Sequence, residues 1–179
     1  MRFLVKKKIT LSFLILVFFV FCFLVFNKAL FKDKIYSPEF KDGKTTYLVD
    51  FSLPELYSVN EIKLSEVIEN KNFSIINIWA SWCVPCRDEH YFLMSLREQK
   101  KLEIIGLNYK DKIGNAKNFL KELGNPYKHI LLDEKGIIAI EWGAYGVPES
   151  FLIYDKKIIK KIIGPINKDI FLEMKELIK

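Results

Sequence analysis

Three cysteines occur in the chain, and two of them, Cys83 and Cys86, are separated by two residues in the run Trp82-Cys83-Val84-Pro85-Cys86. Thiols at this spacing can close a small disulfide ring and reopen it, so the pair can pass two electrons to or from another disulfide. The setting decides whether such a pair is reactive. This run follows a strand-like apolar stretch and precedes a helical pattern, which puts Cys83 at a helix N-terminus. Free N–H groups there carry about half a positive charge, favour a thiolate, and can lower a thiol pKa from ~8.5 toward ~3.5–7.5. Cys83 is therefore the expected nucleophile. Cys86, inside the first turn, is placed to attack the mixed disulfide formed when Cys83 reacts with a partner. Pro85 costs little there, because an N-terminal helical residue has no carbonyl waiting for its N–H. Two other readings compete: half of a zinc site, with His90 and His129 as further ligands, and an inert structural disulfide. The order strand, CxxC, helix favours redox work.

The elements that must hold the pair are legible as periodicities. FSIINIW (73–79) is apolar and rich in β-branched residues, as in a strand buried at a sheet centre. After Cys86, RDEHYFLMSLREQ reads as a helix with Asp88 and Glu89 in its first turn and Phe92, Leu93 and Leu96 on one face. A strand LEIIGL (102–107), a helix over 114–123 ending at Gly124-Asn125-Pro126, and a strand HILL (129–132) with a turn at Asp133–Gly136 follow. Residues 137–145 fit helix or loop. Strands FLIY (151–154) and IIKKIIG (158–164), joined at Asp155-Lys156-Lys157, form a hairpin before a last amphipathic helix at 168–178. Upstream, YLVDFSLP is strand-like and IKLSEVIEN amphipathic. This alternation predicts an α/β domain with a mixed central sheet flanked by helices over residues 45–179. No internal repeat or low-complexity tract is present.

Residues 1–34 carry seven Lys or Arg and one acid, and the other 145 residues hold 21 basic and 21 acidic side chains. The pI near 9.1 thus belongs to the N-terminal segment. The remainder offers no cationic field for a phosphate backbone, so nucleic acid is not an expected partner. Residues 9–26, ITLSFLILVFFVFCFLVF, are uncharged and include Cys22. At 1.5 Å per residue they nearly span a ~30 Å hydrocarbon core. A cleaved signal would have an apolar core of ~7–15 residues followed by a small-x-small site, which Phe26-Asn27-Lys28-Ala29-Leu30 does not provide. The reading is an uncleaved transmembrane anchor at 9–26, with Arg2, Lys6, Lys7 and Lys8 in a cytoplasmic N-terminus at 1–8. A polar tether follows at 27–44. A domain of about 145 residues buries roughly 68–70% of its unfolded surface and needs no disulfide staple.

Beyond the cysteines, WASWCVPCRDEH resembles the active-site segment of periplasmic thioredoxin-like proteins. GLNYKD (106–111), ELGNPY (122–127) and YGVPESFLI (145–153) are similar to the CcmG, or DsbE, branch, which serves cytochrome c maturation. The resemblance implies a thioredoxin fold in which Cys83 and Cys86, as a redox-active disulfide, reduce apocytochrome c or a CcmH-like maturation protein. It also implies re-reduction by a DsbD- or CcdA-like membrane electron carrier, a periplasmic domain held at a bacterial inner membrane, and no metal or other cofactor. By the same resemblance, Pro148 is a cis-proline facing the cysteines, and Glu89 and Glu149 are acids close to the sulfurs. Such a carboxylate, partly dry, could receive or return a thiol proton. A plainer role for Glu89 is to complement a helix N-terminus. Trp82, Tyr145 and Val147 line the expected substrate groove, and Trp79 and Trp82 are expected to pack around and shield the pair. The chain departs from the family pattern at Ala144, Val147 and Ser150, where Val, Ala and Thr are more usual. A ResA- or TlpA-like general thiol reductase is the alternative within the fold, and a copper or zinc carrier the alternative outside it.

Overall fold

The protein is described here by a computed structural model covering residues 14–26, 50–68 and 73–178. Two units divide the chain, Met1–Asp42 and Gly43–Lys179. In the first, residues 14–26 form helix α1, whose apolar side chains are all exposed. No helix among the described residues is long and apolar enough to cross a membrane. Positions 9–13 of the expected span, the N-terminus 1–8 and the tether 27–44 lie outside the described residues.

In the second unit, β3 (Phe73–Trp79) is buried at every position after Phe73, as its unbroken apolar run requires. It lies at the centre of a five-stranded sheet of order β5-β4-β3-β6-β7. β4 (Leu102–Tyr109) and β5 (His129–Asp133) run parallel to it, whereas β6 (Glu149–Tyr154) and β7 (Lys157–Ile163) are antiparallel. The hairpin turn is tighter than the sequence suggests. Only Asp155 and Lys156 form it, both at positive φ (47° and 60°), and Lys157 already pairs with Tyr154. Two successive left-handed residues match the twist of a two-residue hairpin.

Helices α3 (Val84–Leu96), α4 (Ile113–Leu123) and α6 (Lys168–Ile178) bury Leu93, Leu96, Phe119, Leu120 and Met174 in one core, with Ile75 and Trp79 of β3. Alternate residues Ile76 and Ile78 point into a second core, with Leu64 and Ile68 of α2 (Leu64–Ile68) and Ala139 of α5 (Ile137–Glu141). The sheet is thus covered on both faces.

Two local expectations are corrected, and one left open between helix and loop is resolved. Helix α3 begins at Val84, so Asp88 and Glu89 lie beyond its first turn. The stretch 62–70 is not one helix: β1 (Ser52–Pro54) pairs with β2 (Glu61–Lys63), and Ile62 and Lys63 are drawn into that ladder. The chain turns helical only at Leu64, whose N–H bonds the Phe51 carbonyl at 2.9 Å, while the Asp50 carboxylate accepts the Ser65 N–H at 3.0 Å. Residues 137–145 resolve into the short α5 and an irregular loop.

Candidate active site

Cys83 is the N-cap of α3, in extended conformation, and Cys86 lies in its first turn. The two are joined as a disulfide, and the Cys86 N–H points at Cys83 Sγ, 3.1 Å away. A cap normally accepts this hydrogen bond through oxygen; here sulfur takes it, which is the electrostatic setting that favours a thiolate once the bond is reduced. Both cysteines are buried, while Trp82 and Val84 beside them are exposed. The sulfurs therefore sit at the floor of an apolar rim.

The turn before the helix is held from the neighbouring strand. Asp111 accepts the Ser81 N–H at 2.6 Å, the Ser81 hydroxyl at 2.8 Å, the Asn108 side-chain amide at 3.1 Å and the Lys112 N–H at 2.7 Å. Lys110, at a positive φ of 45°, aims its carbonyl at the Trp82 indole N–H, 3.1 Å away. Trp82 is thus oriented by a hydrogen bond and left open to solvent. Trp79 is wholly buried, stacked 5.4 Å from Tyr127, and packs rather than lining a surface. Gly106 makes room for that stack, since a Cβ there would meet Trp79 Nε1 at 2.8 Å.

Glu89 is buried, and one of its oxygens accepts the Asn77 side-chain amide at 2.8 Å while the other accepts the Ile166 N–H at 2.8 Å. Burial raises its pKa to about 7 against the pull of these two bonds. Asn77 also donates to the Ser150 hydroxyl at 3.0 Å and accepts the Tyr127 hydroxyl at 2.8 Å. Burial, then the Glu89 charge, push Tyr127 well above the ordinary tyrosine value, so it stays a donor. Glu89 therefore anchors a buried network, through Asn77, that reaches Tyr127 in the core that also holds the cysteines, rather than complementing a helix end.

The Val147–Pro148 bond is cis, Pro148 is buried, and Val147 packs against the core that holds both cysteines. Tyr145 stands largely exposed on the same loop. Glu149, expected close to the sulfurs, begins β6 directly after Pro148 and lies opposite Ile78 of β3. Strand alternation sends Leu152 to the cysteine core and Phe151 and Ile153 to the opposite one, and Glu149 follows the latter. Its carboxylate accepts the N–H groups of Tyr145 (2.6 Å) and Gly146 (3.0 Å) and pairs with Lys161 at 2.9 Å.

His90 is turned to the Gly124 carbonyl at 2.9 Å, and burial holds its pKa below the usual value. His129 pairs with Glu55 at 2.9 Å. Among the described residues no three His, Cys, Asp or Glu converge as a metal site. Four contributors escaped sequence reasoning as individuals: Asn77, Asp111, Tyr127 and Lys161. Asn77 did leave a signal, because an amide inside a doubly buried strand needs polar partners.

The family model described as Redoxin matches residues 40–176. The thiol:disulfide interchange protein CycY of Rhizobium leguminosarum bv. viciae is 47% identical over 103 residues, 57% of this chain and 55% of that protein. The thiol:disulfide interchange protein DsbE of Allochromatium vinosum is 37% identical over 125 residues, 69% of this chain and 68% of that protein. The chain thus spans little more than half the length of the first of these relatives and about two thirds of the second. Among solved structures, a chain from Chlorobium tepidum assigned as a DsbE thiol:disulfide interchange protein superposes with a TM-score of 0.62 at 27% identity, covering 74% of this chain and 94% of that one.

Proposed function

Because this chain belongs to the redoxin family, we propose that it is a thiol-disulfide oxidoreductase whose reduced Cys83 and Cys86 open a disulfide in a protein partner. One observation carries this reading: the disulfide sits at the N-terminus of α3, with the Cys86 N–H aimed at Cys83 Sγ. The Cys83 thiolate attacks one sulfur of the partner disulfide and the partner's other sulfur leaves as a thiolate that takes up a proton. Cys86, deprotonated, then attacks Cys83 in the mixed disulfide and releases the second partner thiol. Two electrons and two protons move to the partner, and the disulfide seen here is the product.

Glu89 is the group for the proton of Cys86: three residues further along α3 it is buried on the same helix face, and a pKa raised by burial to about 7 lets it exist in both forms at neutral pH. Trp82, Tyr145, Val147 and Pro148 form the partner groove, and Glu149 acts by holding the loop that carries three of them. The partner is apocytochrome c or a CcmH-like maturation protein, whose cysteines must be reduced before haem attaches. The electron donor is a DsbD- or CcdA-like membrane protein. Residues 9–26 anchor the chain in a bacterial inner membrane, 27–44 are the tether, and 45–179 stand in the periplasm. These assignments rest on the family resemblance of the motifs and on the names of the relatives.

Trapping tests the reading directly. Cys86→Ala leaves the mixed disulfide on Cys83 unresolved, so periplasmic partners remain attached and mass spectrometry identifies them. Recovery of a cytochrome c maturation component supports the proposal. Capture of many unrelated proteins points to the general ResA- or TlpA-like reductase, and the absence of any Cys83-linked adduct sinks the exchange mechanism.

A further inference from the structure

A lysine on the outermost strand of a sheet ordinarily reaches into water, yet the Lys161 side chain is only 5% exposed. Burying an ammonium is unfavourable unless its charge and its donors are matched. What matches it is one loop. Lys161 Nζ lies 2.9 Å from Glu149 Oε2 and donates to the Gly143 carbonyl at 2.7 Å. It also lies over the Tyr145 ring, 4.5 Å from the centroid, and 5.4 Å from that of Phe151. Glu149 completes the arrangement through its other oxygen, which takes the Tyr145 and Gly146 N–H groups. At the loop's end the Pro148 carbonyl accepts the Gly164 N–H, just past β7, at 3.0 Å.

The loop 143–148 is therefore fastened at its start, middle and end from β6 and β7. Tyr145 illustrates the result: one ring face lies over the buried ammonium while the residue remains 65% exposed. An exposed aromatic with its direction already fixed gives a partner contact area at small ordering cost. We infer that Lys161 is a positioning residue for partner binding, fixing through Glu149 and Gly143 the loop that presents Tyr145, Val147 and Pro148. This inference rests on the thiol-exchange reading of the same site. It predicts a defect in recognition and none in thiol chemistry, because neither Lys161 nor Glu149 faces the core that holds the sulfurs.

The test compares the full chain in detergent with its Lys161→Met form. Two disulfide probes are used, insulin and a synthetic peptide bearing an oxidised Cys-x-x-Cys-His, the haem-attachment pattern. KM should rise about tenfold for whichever probe the parent reduces, with kcat and the rate of Cys83 alkylation by iodoacetamide both within about twofold. Amide hydrogen exchange at Tyr145 and Gly146 should quicken by about tenfold or more, with α3 amides unchanged. Lys161→Arg keeps the charge and should recover most of the KM. If the Met form does not fold, Lys161→Gln replaces it under the same criteria. A folded variant with parental KM and parental exchange at the two amides overturns the inference, as does a change in alkylation with KM intact. A parent that reduces neither probe refutes the exchange reading instead, and the amide exchange rates then decide the role of Lys161 alone.

Discussion

At Glu89, burial and hydrogen bonding pull in opposite directions, and burial wins, moving the carboxyl from 4.5 to about 7. The folded protein then binds a proton more readily than the unfolded chain between those pH values. Stability consequently falls as pH rises from about 4.5 to about 7 and levels off above, by about 3 kcal/mol at most. Glu89→Gln is neutral throughout. In thermal melts of the oxidised protein from pH 4.5 to 8, the parent should lose several degrees that the variant does not. A variant with the parent's slope would show that another group titrates. Asp111 gives a second residue-scale prediction. Its carboxylate satisfies three N–H groups and a hydroxyl around the turn before Cys83, so Asp111→Ala should cost about 2 kcal/mol, read as a lower urea midpoint with an unchanged m-value. Stability within about 0.5 kcal/mol of the parent would mean that water replaces those bonds without loss.

Among the elements, α3 sets the difference between the two thiols. Cys83 caps the helix and receives an N–H, whereas Cys86 is one turn inside, so iodoacetamide should label Cys83 first in the reduced protein. Equal labelling across pH 5 to 8, resolved by peptide mass mapping, would refute the assignment of Cys83 as nucleophile. The strands and helices around this site were legible because each has one dominant period or an unbroken apolar run. FSIINIW emerged as β3 with the same bounds, and 168–178 as α6. The first half of IKLSEVIEN was not legible, because whether Glu61–Lys63 joins a strand depends on a partner, β1, and not on its own spacing. Within the site the cysteines and Pro148 announce themselves by type. The direction of Glu149 does not, although the alternation of Phe151 and Leu152 between two cores settles it. Lys161 gave no sequence signal at all, since a lysine in an edge strand looks like a solvated one.

For the whole molecule, the proposed anchor at residues 9–26 would decide which compartment holds the second unit. A cycling disulfide needs a compartment that can oxidise it, and residues 9–26 are read as the anchor that fixes this. Alkaline phosphatase fused after Lys179 matures only when exported, so such a fusion should be active. An inactive fusion at normal abundance would reverse the orientation.

The hydrogen bond from Ile166 to Glu89 joins residues 77 positions apart, which also makes it a matter of chronology. At about 5–20 residues per second, a ribosome delivers the second partner roughly 4–15 s after the first. Through that interval both cysteines are already synthesised, while one oxygen of the Glu89 carboxyl, on the same helix as Cys86, still lacks its donor. The nascent chain thus has its thiols before the buried network around Glu89 is complete. Pulse-labelled chains stopped at residue 163 should therefore show Cys83 alkylation closer to that of an ordinary thiol than full-length chains do, and identical rates would show that the segment after β7 has no part in tuning the pair.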